Sequence, residues 1–488
     1  MKKFLLIIII ISLIFLALFH NRANEFSKPY LAKLIEEKID KNLTITVEEY
    51  QLDHNYITLV AKVDKKHRLD IRGHFNLFSK NLDLNYKINS KEYPIILTGK
   101  AKGRVDDILI TGEGDILSSK IDYDFRVEKK EVKDVHISSK SAKIEEILTL
   151  GKQKKYATGL FDLELKMPKV DENKSIGDFK LTLKEVHLNS KVFQEEQNIS
   201  IPNNIVLSGD IHSKLKDTKA SIDADLKSNL FNIILENGIV NIKTFAFNSN
   251  YRLDIQELRD LVFFTKKELQ GALKVTGNIK KEDKRVYLQG QSRSLDGKID
   301  FILKDTYLDA NFVGVSMQKI FYTLNYPLIF SAPLFGKVHY DLDKKKGTLN
   351  AKLDDAKLLE NDLTILIYSV SGLDLTKDVY SKTHLDAKLY ENNIEFEFLA
   401  RNRKNKILVH DANLKYKNNT IDAKYRVSLR KRDIEGSIYG AIKSPQVTID
   451  GSNYLENKID KELKRLGIDN IDSKKAIQGI GNLLQGFF

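Results

Sequence analysis

Hydrophobic and polar residues alternate along most of this chain. A β-strand points successive side chains to opposite faces, so a period of two predicts strands with one apolar and one solvated face. Clusters of Asn, Asp, Gly or Lys separate the runs, which predicts hairpins and a mostly antiparallel sheet. The clearest runs are residues 57–63, 69–77, 82–88, 121–127, 161–167, 385–389, 394–400 and 421–429.

The number of runs predicts the architecture. Residues 43–451 hold about 30 strand-length runs, and a sheet of that size normally curls or splits into two layers. Stacked sandwich domains would call for linkers, proline and core aromatics, but the chain has only 7 prolines and no tryptophan. We therefore expect a mainly β fold: an elongated, curved antiparallel sheet forming a hydrophobic groove (β-taco-like), continuous over residues 43–451.

A few segments have a helical period instead. Residues 24–42 predict an amphipathic helix with Leu31, Leu34, Ile35 and Ile39 along one stripe. Short helices are expected at residues 144–150, 253–264 and 317–324. Residues 452–488 predict a C-terminal amphipathic helical tail.

The N-terminal residues predict a membrane segment. Residues 4–19 are apolar except Ser12, and as a helix they would span roughly 24 Å, slightly less than the ~30 Å hydrocarbon core. Lys2 and Lys3 precede the run and favour a cytoplasmic start, with the body of the chain outside. A cleaved signal peptide is the alternative. We expect an anchor at residues 1–23, with Phe4, Leu5, Ile8, Leu13, Phe15 and Leu18 in the bilayer.

Charge and cysteine content limit which partners the chain can bind and which covalent or metal chemistry it can perform. The net charge is +12, but lysines alternate with apolar residues as on the wet face of strands, which does not favour nucleic-acid binding. Solubility explains such a face, and weak attraction to anionic lipid headgroups is the alternative. The absence of cysteine excludes disulfides and thiolate metal sites.

No catalytic motif is present in the sequence. The ten histidines are scattered, and none forms the His-Glu-x-x-His zinc motif. Gly-x-Ser-x-Gly is missing, and Gly112-Glu-Gly114 is too short for a phosphate loop. We predict no enzyme activity, no metal site and no cofactor.

Three features together resemble a known family. An N-terminal anchor is followed by a helix and the strand Leu43-Thr-Ile-Thr-Val47. Tyr251-Arg-Leu-Asp-Ile255 leads through an apolar helical segment to Leu269-Gln-Gly-Ala-Leu-Lys-Val-Thr-Gly277. Near the end, Ile434-Glu-Gly-Ser-Ile-Tyr-Gly440 precedes Ser444-Pro-Gln-Val-Thr-Ile449 and an amphipathic helix. This layout resembles the AsmA-like family, the AsmA/TamB-type bridge proteins of Gram-negative envelopes.

The resemblance implies a location and a role. It implies a single-pass inner-membrane protein, with the bulk of the chain in the periplasm, that supports phospholipid transport between membranes and outer-membrane biogenesis. Its partners would be phospholipids, the inner membrane and an outer-membrane or barrel-assembly component. A non-enzymatic assembly factor for outer-membrane proteins is the alternative function, and an outer-membrane barrel is a third hypothesis.

Alternation alone does not distinguish a filled core from a lipid-lined groove. With the resemblance we favour the groove. Proline-bearing residues 326–336 are either core or a lipid-contacting lip. The expected groove-lining residues are Ile57, Leu59, Leu84, Phe125, Phe161, Leu163, Leu165, Phe301, Leu303, Phe396 and Phe398.

Overall fold

A computed structural model describes residue 32 and residues 44–450, except residues 54, 77, 92, 93, 130, 171–173, 284, 430 and 431. The predicted anchor, the helix at 24–42 and the tail at 452–488 therefore lie outside the described residues, apart from residue 32. In the part that is described, no helix is long and apolar enough to cross a bilayer.

Strands dominate the described residues. They account for 66% of them, and helices account for 11%. One antiparallel sheet contains 26 strands, and a small sheet contains three more. The described registers of the large sheet all join strands that follow one another in it along the chain, as expected for hairpins, and the sheet is not closed. The mainly β, antiparallel prediction is confirmed.

Two compact units divide the chain. The first contains residues up to Leu253 together with Lys281–Asp283. Its strands, with the last one continuing into the second unit, are β1 (Ile45–Leu52), β2 (Tyr56–Val63), β3 (His67–Asn76), β4 (Asn81–Ser90), β5 (Ile95–Arg104), β6 (Asp107–Ile116), β7 (Ser119–Glu128), β8 (Glu131–Lys143), β9 (Ala157–Lys169), β10 (Ile176–Leu188), β11 (Val206–Lys216), β12 (Lys219–Ser228), β13 (Phe231–Asn241) and β14 (Phe247–Ile255).

The second unit contains Asp254–Lys280 and the residues from Lys284 onward. Its strands are β15 (Leu273–Glu282), β16 (Arg285–Ser292), β17 (Lys298–Lys304), β18 (Tyr307–Ser316), β19 (Phe330–Ser331), β20 (Pro333–Asp341), β21 (Lys346–Leu353), β22 (Ala356–Leu358), β23 (Val379–Tyr380), β24 (Lys382–Tyr390), β25 (Asn393–Arg401), β26 (Asn405–Lys415), β27 (Thr420–Leu429), β28 (Arg432–Ala441) and β29 (Ser444–Ile449). β19, β22 and β23 form the small sheet.

Short helices occur between some strands. The predicted helices at 144–150 and 317–324 are confirmed. In the predicted helix at 253–264, the first three residues instead continue β14, and a 3-10 helix and α3 follow them. Two helices were not predicted. The helices are α1 (Ile144–Leu150), α2 (Ser190–Gln197), α3 (Val262–Thr265), α4 (Met317–Leu324) and α5 (Asp362–Ser371), with 3-10 helices at Leu258–Leu261 and Leu375–Lys377.

The alternating sequence becomes alternating burial. In β4, every second residue from Leu82 to Ser90 is buried and the intervening ones are exposed. Many turns begin with Asn or Asp, whose side chain accepts backbone N–H groups. Asn76 Oδ1 accepts from Phe78 and Ser79 at 3.0 Å. The pattern and the turn residues therefore select the same hairpins.

Each unit has its own hydrophobic core. In the first unit the core is formed by inward side chains of β1–β7 together with Ala32. In the second unit it is formed by β20–β22 and β25–β28, with Ile367 of α5, Leu375 and Tyr380 packed on them. The buried residues of each core thus come from only part of its unit.

A buried tyrosine pair joins β4 and β7 in the first core. The Tyr86 hydroxyl donates to the Tyr123 hydroxyl at 2.8 Å, and burial raises the pKa of both phenols. Glycines face the two hydroxyls: a Cβ on Gly99 would lie 2.4 Å from Tyr86 Oη, and one on Gly112 would lie 2.6 Å from Tyr123 Oη. Glycine at these positions makes room for the pair.

We expect Tyr86→Phe to lower the stability of the first unit by about 1–2 kcal/mol, because it leaves a buried hydroxyl without its donor. The measurement is amide hydrogen exchange in β4 and β7. Tyr50→Phe is the matched control, since Tyr50 packs on the same core. Its hydroxyl has no hydrogen-bond partner among the described residues, and we expect a change within a few tenths of a kcal/mol. Equal losses would contradict the role of the pair.

Candidate functional site

The apolar face of the first unit is a filled core in its first seven strands. Leu84 is 1% exposed and Phe125 is 2% exposed. Side chains that are this buried have no surface left for a ligand. This part of the face stabilises the fold.

The same face continues into β8–β13. Directly opposed residues of an antiparallel pair point to the same side of the sheet, so the register traces one face across strands. Buried Tyr123 opposes Ile137, which opposes Leu165, which opposes Phe179. The apolar face of β8–β13 is therefore an extension of the first core.

Most large side chains on this extension are only half-buried. The half-buried ladder, as we name it, consists of Ile137, Leu163, Leu165, Phe179, Leu181, Leu183, Ile211, Ile222, Leu226, Ile233 and Leu235. A contiguous row of partly exposed apolar side chains is a candidate binding surface. An apolar ligand lying on it would complete the burial of these residues.

Small residues lie among the ladder residues. Gly209 opposes Leu183, Ser213 opposes Phe179, and Ala224 opposes Ile211. These smaller residues leave shallow depressions in the surface, because they occupy less volume than the leucines beside them. The face can thus accept a flexible chain without a shaped pocket.

The other face of the same strands is charged. Lys166 Nζ lies 2.5 Å from Glu164 Oε1, and Lys184 Nζ lies 2.6 Å from Asp162 Oδ2. The Lys184 ammonium and the Ser141 backbone N–H hold the pKa of the Asp162 carboxyl below its usual range. The strands therefore separate an apolar face from an ionised one.

The second unit has a corresponding row near its hairpin turns. The second ladder, as we name it, runs across β17–β27 and lies outside the second core. Its members are half-buried: Leu303, Leu308, Tyr340, Leu389, Ile394, Leu414 and Ile421.

Further along the strands, the same face of the second unit is covered. Phe398 is 7% exposed, and the Phe330 ring lies over it with 5.0 Å between ring centroids. Leu334 is also buried in this core, whereas Leu328 is 46% exposed. Residues 326–336 thus contribute both to the core and to the surface.

The predicted lining residues fall into three groups. Four are in the filled first core: Ile57, Leu59, Leu84 and Phe125. Phe161 and Phe398 are buried at 5% and 7% exposure, and Phe396 is half-buried against the second core. Four are half-buried members or neighbours of the ladders: Leu163, Leu165, Phe301 and Leu303.

Sequence reasoning missed the ladder residues of β10–β13. The alternation is present in Phe179, Leu181 and Leu183, but glycine, serine and alanine interrupt it in the following strands. Counting these small residues as inward positions would have found the strands.

Neither a metal centre nor a known relative explains the site. Among the described residues, no group of three His, Asp or Glu side chains is placed to hold a metal ion. No protein-family model matches this chain, and no curated protein matches it. Function therefore has to be inferred from the residues and their geometry.

Proposed function

We propose that this chain is an inner-membrane-anchored periplasmic protein of AsmA-like type that carries phospholipid acyl chains on the apolar face of its sheet. It would support phospholipid transport between membranes and outer-membrane biogenesis. The observation that carries the proposal is the half-buried ladder on β8–β13. In each unit we propose that the sheet bends around its ladder as part of a β-taco-like groove.

Acyl chains need such a surface because water solvates them poorly. Exposure costs about 0.8 kcal/mol per CH₂, so two sixteen-carbon chains cost on the order of 25 kcal/mol. A strip of half-buried leucines and isoleucines removes much of this cost while the headgroup stays in water. No side chain has to react, so the proposed function requires no catalysis and no cofactor.

Photo-crosslinking from the two faces of one strand tests the proposal. A photoreactive residue at Leu181 would face the lipid, whereas one at Lys180 lies on the charged face of β10. We expect phospholipid adducts at Leu181 at least tenfold more often than at Lys180, because acyl chains partition onto apolar surface. Mass spectrometry of the adducts from intact membranes gives the measurement.

Position Leu84 is the second control. It lies on the same face as the ladder but in the filled core, so it should give no lipid adduct. Equal capture at Leu181 and Lys180, or none at Leu181, would rule out the proposed lipid surface.

An assembly factor for outer-membrane proteins is the second candidate function. The observation that favours it is β29, which pairs with β28 and has no second strand beside it in the described registers. An unpaired strand edge can add a strand from another chain. This function would survive polar substitutions on the ladder, whereas lipid transport would not.

A further inference from the structure

A pocket of about 380 Å³ lies along the exposed side of α4 in the second unit. Lys319 and Tyr322 lie three positions apart on one side of the helix, and Tyr326 lines the pocket just beyond Asn325, whose left-handed backbone (φ 57°) ends the helix. Asp296 and Leu328 also line the pocket. This volume is at the small end of the range for ligand sites.

Backbone hydrogen bonds position the walls of the pocket. The Ser316 N–H donates to the Leu295 carbonyl at 2.9 Å, which fixes the loop that carries Asp296. The Gln270 N–H donates to the Thr323 carbonyl at 2.9 Å, and a Cβ on Gly271 would lie 3.2 Å from the Tyr322 ring. The pocket is thus built from three chain segments that hold each other.

Its charges are opposite and only loosely paired. Lys319 Nζ lies 3.9 Å from Asp296 Oδ2, and the two side chains are 51% and 64% exposed. This separation is longer than a charge-assisted hydrogen bond, so each group can still bind a second partner. Tyr322 is 52% exposed and Leu328 is 46% exposed beside them. The pocket therefore combines a cation, an anion, phenol rings and an apolar wall.

We propose that this pocket binds the zwitterionic phosphodiester headgroup of a phospholipid, a phosphoethanolamine or phosphocholine group. Lys319 holds the phosphate. Asp296 and the face of Tyr322 hold the ammonium group. Leu328 contacts the first part of the lipid beyond the headgroup. This inference rests on the proposed function and specifies its substrate class.

Charge balance favours a zwitterion over an anionic lipid. A purely anionic headgroup would gain Lys319 but would face Asp296 without a cation to offset it. A zwitterion satisfies both groups at once. The same pairing could recognise a free phosphodiester in water, so the test includes that ligand.

The experiment measures binding to the purified full chain in a nonionic detergent. The probes are dihexanoyl-phosphatidylethanolamine, dihexanoyl-phosphatidylglycerol and glycerophosphoethanolamine, which has no acyl chains. Asp296→Lys should weaken ethanolamine-lipid binding about tenfold and make the glycerol lipid the preferred one. The charge-reversed pair Lys319→Asp with Asp296→Lys should restore the original preference.

Two further variants act as controls. Asp296 has φ 58°, and Lys80 has φ 56° elsewhere in the chain, so a lysine can adopt this conformation. Asp296→Asn removes the charge with little change of shape and should abolish the preference without reversing it. Glu391→Lys makes the same charge change on the Lys345–Glu391 ion pair at a hairpin turn and should change nothing.

An unchanged preference in Asp296→Lys would overturn the headgroup site. If glycerophosphoethanolamine bound as tightly as the lipid, the ligand of this site would be a free phosphodiester and not a lipid. Neither result affects capture of lipid at Leu181, whereas loss of that capture in the unmodified chain would remove the proposed function itself. The two failures are therefore distinguishable.

Discussion

Truncating one leucine should strongly destabilise the first unit, while truncating another on the same face should not. We expect Leu84→Ala to lower the stability of the first unit by about 2–5 kcal/mol, because the side chain is 1% exposed and leaves a cavity in a filled core. Leu163→Ala should lower it by about 1 kcal/mol or less, since a half-buried side chain loses fewer contacts.

Local stability is the suitable measurement, because a chain with two units need not unfold in one step. Hydrogen exchange in β3–β5 reports on Leu84, and exchange in β8–β10 reports on Leu163. Phe125→Ala and Phe179→Ala form a second pair with the same contrast, filled core against open ladder. If Leu163→Ala or Phe179→Ala lost about 2–5 kcal/mol, as a truncation in a filled core does, β8–β13 would be a filled core and would offer no lipid surface.

The same pair of leucines shows how far sequence reasoning reaches. Both occupy inward positions of alternating runs, and the alternation correctly predicted the strands and the face. Their difference in burial depends on which other side chains pack over them. Leu84 belongs to a core that combines several strands and Ala32. Its contacts there are with residues far apart in sequence. A local period contains no information about them.

The helices show a similar limit. The apolar period of α1 and α4 was sufficient to find both. α5 was missed because its apolar residues follow each other closely and resemble a buried strand. The better signal was at its start, where the Asn361 side chain accepts the Thr364 N–H at 3.2 Å and the Asn361 N–H donates to the Thr364 hydroxyl at 2.9 Å. This reciprocal capping selects the helix.

Polar substitutions along one strand of the ladder, which we call the polar bar, should stop lipid movement. Phe179, Leu181 and Leu183 are three successive inward residues of β10, and all are half-buried. Replacing all three with asparagine makes the apolar face polar along one strand. A strand is about 4.8 Å wide, so about four methylenes of each acyl chain would lie over the bar. At 0.8 kcal/mol per CH₂ the barrier for two chains is about 6 kcal/mol at most.

A barrier of that size would slow passage by up to about 10⁴-fold. Photo-crosslinkers on either side of the bar measure the effect within the first unit. We expect lipid capture at Ile137 to persist and capture at Leu235 to fall to background, if lipid enters from the β8 side. The reverse pattern would give the opposite direction of entry, and the bar would still have blocked passage.

The matched control changes the other face of the same strand. Lys180→Asn, Thr182→Asn and Lys184→Asn alter three alternate residues without touching the ladder. The control loses the exposed Lys184–Asp162 ion pair, which contributes little to stability. It should transport lipid and support outer-membrane growth as the unmodified chain does. If the inward triple variant also did so, with unchanged capture at Leu235, the apolar face would not carry lipid, and the unpaired edge of β29 would become the better candidate site.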